Sequence, residues 1–439
     1  MSSTNTWRQR LFFFSLIAVL FTTLFSWFNL NSICIMLMLV SRFLYQPAAG
    51  LKAAFRNPIF LALLSYCFVG ATGVLYTHNM LDQTKTVSKE ATLVAVALVW
   101  CAGNMLDRQD YRRLLSWYYV LLFAACAYCL VIATRNYRHT GDAAVFFYHL
   151  LTRPISQNAV FFSVYVVFGI LFLLAPYGEP VIAGLSRQAR KFLRILLLLF
   201  FLGIIVLLNS KLLLVVALLL LIHALLRRYS LRRHIAIVIG AGVVIVAAVV
   251  LVSVTNNPIS MRFRDMKGDM ALVNQPTFTT DTYFNPLQLR LLEWRFATEI
   301  LHEHKTWLIG VSPGDFQDLL DQKYVQTHMY IGDTAQGPQR HVRGFIGYNT
   351  HNQYLETFMR SGVVGLACLL ATFAAFFTAA QRSKMREPRF VLVILAVFFI
   401  PEAPLTMQHG VFLFCFFPFL ALAIPRTEAA AEPMSAQRP

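Results

Sequence analysis

Long apolar runs, broken by short polar stretches, dominate the chain. Runs such as 195–208 and 243–252 lie inside apolar stretches of about 20 residues, the length a helix needs to cross a bilayer. Read as membrane helices, these stretches number about twelve: 11–28, 30–46, 57–77, 88–106, 111–134, 157–176, 190–209, 211–227, 233–254, 350–378, 388–403 and 406–425. Very tight turns join the first to the second and the seventh to the eighth. Between 255 and 349 the pattern fails, and some 95 residues form one large loop. Within it, "NPLQLRLLEWRFATEILHEH" reads as a helix opened by Pro286, with Gln288, Arg295, Glu299 and His302 on one polar stripe.

Composition supports the pattern. The chain is 57% hydrophobic and 13% charged, where a soluble domain carries about 25% charged residues. The expected fold is therefore an all-α polytopic membrane protein. It divides into an N-terminal bundle (1–254), the large loop (255–349), three C-terminal spans (350–425) and a polar tail (426–439) expected to be disordered. Nothing at the N-terminus resembles a cleavable signal peptide.

A net charge of +17 invites a nucleic-acid partner, but its distribution excludes one. The cations cluster in every second loop: Arg42/Lys52/Arg56, Arg108/Arg112/Arg113, Arg187/Arg190/Lys191/Arg194, Arg227/Arg228/Arg232/Arg233 and Arg382/Lys384/Arg386/Arg389. That is the positive-inside pattern. It places both termini in the cytoplasm and the large loop outside. Cys126 and Cys129 form a C-x-x-C inside an apolar segment, so packing is expected of them rather than a disulfide or a zinc site.

Chemistry can come from few places, and function concentrates in loops. In "THNQYLETFMRSGVVGL", His351, Leu355, Phe358, Gly362 and Gly365 share one face if a helix runs through them. The two glycines would let another helix approach closely, and His351 would stand at the outer end of that face as a base for a hydroxyl. Equally, Thr350 or Asn352 marks a simple helix cap. On the loop helix Arg290 lies opposite the polar stripe, near Glu293 and Trp294. It either pairs locally with Glu293 or binds an anion such as phosphate. In "LLNSKLLLVV", Lys211 heads an apolar segment, as a snorkelling anchor or facing an anionic headgroup. Arg340, His341 and Arg343 precede His351 as further cations or solvated charges. The "HEH" at 302–304 is a weak metal pattern, and no D-x-D, H-E-x-x-H or nucleotide-binding loop is present.

His351-Asn352, nine residues, Gly362, two residues and Gly365 resemble the H-N-x9-G-x-x-G signature of the O-antigen ligase and polymerase superfamily. "LLNSK" resembles the family's Ser-Arg at the head of a mid-chain helix, with Lys211 where Arg is usual. Arg290 and Trp294 match its Arg-x3-Trp helix. The resemblance covers the whole chain and implies a GT-C-type glycosyltransferase in the inner membrane of a Gram-negative bacterium, its site facing the periplasm. The donor would be O-antigen on undecaprenyl diphosphate, and the acceptor a sugar hydroxyl of lipid A-core. It implies His351 as the base and Arg290 and Lys211 as counter-charges to the departing diphosphate, in an inverting displacement that requires no cofactor and no metal. Arg138, Arg153 and Arg343 are further phosphate candidates, and Asn352, Gln353, Gly362, Gly365 and Trp294 support the motif. The apolar bundle should leave a lateral groove for the prenyl chain.

Three other readings are open. A polymerase of the same superfamily would use a second donor-linked repeat unit as acceptor, and one large loop before the motif favours a ligase. A protein O-oligosaccharyltransferase would carry a longer C-terminal region. A secondary transporter or flippase would show internal repeats and polar mid-membrane helices, whereas polar residues here gather at one rim and in one loop.

Overall fold

A computed structural model describes residues 3–45, 49–103, 106–182, 184–228, 269–332 and 344–423. The expected ninth span, the cations Arg340, His341 and Arg343, and the expected disordered tail lie outside the described residues. The described chain is all-helical. Its helices are α1 (Ser3–Leu24), α2 (Phe28–Tyr45), α3 (Ala49–Ala54), α4 (Pro58–Thr72), α5 (Met80–Cys101), α6 (Arg108–Thr140), α7 (Tyr148–Thr152) and α8 (Ala159–Leu174). There follow α9 (Arg187–Leu208), α10 (Lys211–Arg228), α11 (Pro286–His304), α12 (Phe316–Gln326), α13 (Gln353–Arg382), α14 (Glu387–Phe398) and α15 (Gln408–Leu422).

Each expected span within the described residues coincides with a helix. By length and composition, however, four are able to cross a membrane: Pro58–Leu75, α6, α9 and α13. A fifth is the pair Tyr148–Ile155 and Ala159–Leu174, bent by 82°. The rest are too short or carry too many polar residues, so the described chain supports fewer crossings by this measure than the twelve predicted. The two tight turns are real breaks: Ser26 and Asn209 adopt φ of 54° and 49°, which ends the preceding helix.

Two arginines of the basic clusters are not loop charges. Arg42 is fully buried and donates from Nη2 to the Ala102 carbonyl at 2.7 Å. Arg194 donates to the carbonyls of Leu173 and Ala175 at the end of α8. Both satisfy helix-end carbonyls that have no partner within their own helix. The expected packing role of Cys126 and Cys129 agrees with their full burial as free thiols in α6.

The apolar side chains form two cores. The large one fills the bundle, with α8 and α15 buried along most of their length. The smaller one belongs to the loop and joins Leu292, Phe296 and Ile300 of α11 to Phe316, Leu320 and Tyr324 of α12. Helix α11 starts where Pro286 predicts, sealed by a capping box between Asn285 and Gln288, a device worth about 1 kcal/mol. On the polar stripe of α11, the part-buried Arg295 pairs with Glu299 at 2.7 Å and donates to the carbonyls of Val273 and Gln275.

Helix α13 belongs to both cores, because it breaks at Gly362 (φ 62°, ψ −162°). Its head, residues 353–361, sends Met359 into the loop core, with Leu355 and Phe358 packed against it. Its shaft, residues 363–382, sends Leu369, Phe373 and Phe376 into the bundle. The sequence pattern predicts one continuous face from His351 to Gly365, with the glycines receiving a neighbouring helix. That expectation fails on backbone geometry. His351 precedes the helix with φ 44°, and what approaches Gly362 is the loop backbone at Leu308 and Ile309.

Candidate functional site

His351, Asn352 and Gln353 each do a different job. Asn352 caps α13, its side chain accepting from the Leu355 N–H at 3.0 Å, so the capping reading of this cluster is correct for Asn352. Gln353 stitches α13 to the turn after α14. Its backbone N–H donates to Phe399 and Glu402, and its Oε1 accepts from the Leu405 N–H at 2.7 Å. His351 is left out of the helix in a left-handed conformation uncommon for a side-chain-bearing residue. The Asn349 side chain accepts its N–H at 2.9 Å and holds it there.

This conformation aims the ring at α11. His351 Nδ1 lies 2.8 Å from Glu293 Oε2 and 3.1 Å from the Asn349 carbonyl. Glu293 is fully buried, whereas the imidazole is about a quarter exposed. A carboxylate on Nδ1 fixes the tautomer that carries its proton there and leaves Nε2 as the accepting edge. Tyr348 stands beside the ring, with centroids 5.8 Å apart.

Arg290 stands one turn before Glu293 on α11, and the predicted local pair between them does not form. Arg290 instead pairs with Glu402 at 3.0 Å, from the turn that Gln353 holds. Its Nε and Nη1 donate to the carbonyls of Pro401 and Pro286. A guanidinium has five N–H donors, so three recorded bonds leave two for a ligand. Glu402 is nearly buried, and a buried carboxylate is costly without a partner.

The four groups are electrostatically coupled. Burial pulls the His351 pKa down, but the hydrogen bond and charge of Glu293, helped by Glu402, outweigh burial and the opposing charge of Arg290. The net shift is upward from 6.5. Burial raises Glu293 and Glu402 above the usual carboxylate range, against the pull of His351 and Arg290.

Beneath them, Trp294 Nε1 donates to the Thr350 carbonyl at 2.9 Å, and the Thr350 hydroxyl donates to Glu356 at 2.9 Å. Glu356 pairs with Arg360 at 2.7 Å, which lies over the Phe316 ring. These contacts tie the residue before His351 to α11, α12 and the head of α13. Lys89 of α5 reaches the same region, donating to the Thr406 carbonyl at 2.9 Å.

The structure therefore brings together His351, Arg290, Trp294, Asn352 and Gln353. Lys211 heads α10, just after the buried Ser210, where α10 packs on α8 and α9. Arg138 lies exposed in the last turn of α6. Arg153 borders a cavity of about 440 Å³ with Tyr128 and Asn136, at the α6–α8 end of the bundle. Gly362 and Gly365 shape α13 and do not line the cluster.

Glu293, Glu402 and Lys89 were not singled out from the sequence. Glu402 carried a usable signal, since a lone carboxylate between two apolar segments needs a buried partner. Glu293 was visible only as a neighbour of Arg290.

Fold and geometry define a multi-pass helical membrane protein carrying coupled histidine–carboxylate and arginine–carboxylate pairs where its loop meets the bundle. Residues 196–370, from the seventh expected span to the shaft of α13, match the family described as O-antigen ligase, a match that supports a likeness to the O-antigen ligase superfamily. The matched stretch holds Lys211, Arg290, Trp294, His351, Gly362 and Gly365. No curated protein matches the chain.

Proposed function

We propose that the protein is an O-antigen ligase of the GT-C type. It transfers O-antigen polysaccharide from undecaprenyl diphosphate to a sugar hydroxyl of lipid A-core, at the periplasmic face of a Gram-negative inner membrane. The observation that carries this reading is the His351–Glu293 pair set beside Arg290. Nε2 of His351 takes the acceptor hydroxyl's proton while its oxygen bonds to the anomeric carbon. The bond from that carbon to the diphosphate breaks, and the diphosphate leaves with the electron pair. Attack opposite the leaving group inverts the anomeric centre.

Charge grows on the diphosphate as it departs, and fixed donors aimed there stabilise the transition state. In this reading the two uncommitted N–H groups of Arg290 take that role, with Lys211, Arg138, Arg153 and Arg343 as further candidates. Lys211 would act as a point charge without the bidentate geometry of Arg. Imidazolium formed during attack is stabilised by Glu293, as a carboxylate behind a catalytic histidine does.

A pH prediction follows. Only neutral His351 accepts a proton, so transfer rises with pH through the His351 pKa. Because Glu293 and Glu402 hold that pKa up, the acid limb of the rate profile should fall above pH 6.5. Glu293→Gln removes the largest raising influence and keeps an acceptor for Nδ1. Its acid limb should move to lower pH, with a lower plateau. A purely structural Glu293 would lower the plateau and leave the limb in place.

In cells, loss of the protein should leave bare lipid A-core, with long polymer accumulating on its prenyl carrier. Banding of lipopolysaccharide together with an assay of lipid-linked polymer reads this directly. Core capped by a single repeat would establish a polymerase instead. An unchanged ladder would remove the lipopolysaccharide reading altogether.

A further inference from the structure

The loop between α11 and α12 carries an apolar tip that neither core absorbs. Trp307, Leu308 and Ile309 are 41%, 65% and 49% exposed. Beside them Leu75, at the end of a candidate span, is 83% exposed and Val363 is 51% exposed. In a water-facing loop such a run is unfavourable, because apolar patches of this kind mark contacts with lipid or protein.

The backbone beneath the tip distinguishes these surroundings. The Trp307 carbonyl accepts from Val363 N–H at 2.9 Å, and the Leu308 carbonyl from Val364 N–H at 3.3 Å. The Ile309 carbonyl accepts from the Tyr76 hydroxyl at 2.8 Å. Three successive carbonyls at an exposed loop tip are thus bonded within the protein. Backbone exposed to hydrocarbon must be satisfied this way, whereas water would serve a loop tip without help.

The level of the tip is set by α13. Its shaft, residues 363–382, is about 30 Å long at 1.5 Å per residue, close to the hydrocarbon thickness of a bilayer. The break at Gly362 therefore falls at the membrane boundary, and the tip is bonded to the first two residues beyond it. Trp is favoured at that boundary, and Lys305, exposed just before the tip, suits the phosphates of headgroups. Asp315 fixes the same level from the other side, accepting from the N–H groups of His78 and Asn79 beyond Leu75.

We propose that Trp307–Leu308–Ile309 inserts into the leaflet on the loop's side of the bilayer, at the boundary between headgroups and acyl chains. This rests on α4 and α13 being membrane spans and not on the transferase chemistry. The tip, the broken helix and the α4–α5 turn then form one lipid-facing rim, which holds the loop core and His351 at a fixed height above the membrane.

Tryptophan quenching in reconstituted full-length protein tests it. The emission of Trp307 is taken as the difference between wild type and Trp307→Phe, because the chain has six tryptophans. Lipids brominated high on the acyl chain should quench this emission about twofold more than lipids brominated near the chain end, as for interfacial Trp. Aqueous iodide should have little effect. Strong iodide quenching would place the tip in water and overturn the proposal. Quenching by neither agent would also overturn it, because the tip would then be covered by protein, such as a second copy of this chain. Should Trp307→Phe fail to fold, a fluorophore on Leu308→Cys gives the same reading, with wild type as the blank for its largely buried thiols.

Discussion

His351→Ala is expected to reduce glycan transfer by roughly 10²–10⁴-fold, the range that a positioned base contributes. At about 1.4 kcal/mol per decade this is roughly 3–5 kcal/mol of transition-state stabilisation. The Michaelis constant for the lipid-linked donor should change little. His351 makes one side-chain bridge to Glu293 and is partly exposed, and its ring fills neither apolar core. Folding should survive, although Glu293 loses its partner and becomes the weak point of the variant. The double variant His351→Ala/Glu293→Gln removes that unpaired acid. It should recover thermal stability in detergent without recovering transfer. Transfer at a normal rate by His351→Ala would end the assignment of the base. Recovery of transfer in the double variant would show that His351 serves only to neutralise Glu293.

The helices were legible in the sequence because a bilayer leaves apolar length as the dominant signal, and every described expected span is helical. The number of crossings was less legible. The apolar run 388–403 contains Pro401 and Glu402, and the backbone turns there, so that α14 ends at Phe398 and α15 starts only at Gln408. The motif residues were found by spacing, yet the partner of each was not. His351 is 58 positions from Glu293, and Arg290 is 112 from Glu402. Periodicity along one helix carries no information about which separate elements meet. Reading His351 and Gly362 as one helical face failed for the same reason: a positive φ is a property of the folded backbone, and spacing of three and four does not reveal it.

Gly362→Ala is expected to be strongly disruptive for a change of one methyl group. At φ 62° and ψ −162° the residue occupies a region open essentially to glycine alone, where any side chain costs about 1–3 kcal/mol. The added methyl would also overlap the Leu308 carbonyl and the Ile309 nitrogen. Those atoms are backbone, held by the bonds from Val363 and Val364, so they have no rotamer to yield. Relief requires the tip to leave the helix, which frees two carbonyls and separates the head of α13 from its shaft. The variant should lose more than about 3 kcal/mol, an exceptional value for one methyl, and its transfer activity should fall with the loss of the fold. Gly203→Ala in α9 is the control. A methyl there meets nothing within 4 Å, and Ala exceeds Gly in helix propensity by about 1 kcal/mol, so stability should hold or rise. Thermal unfolding of both variants in detergent checks this. A loss at Gly362 with none at Gly203 would show that the break itself holds the loop and its histidine in place, whereas an unchanged Gly362→Ala would show that the break is dispensable.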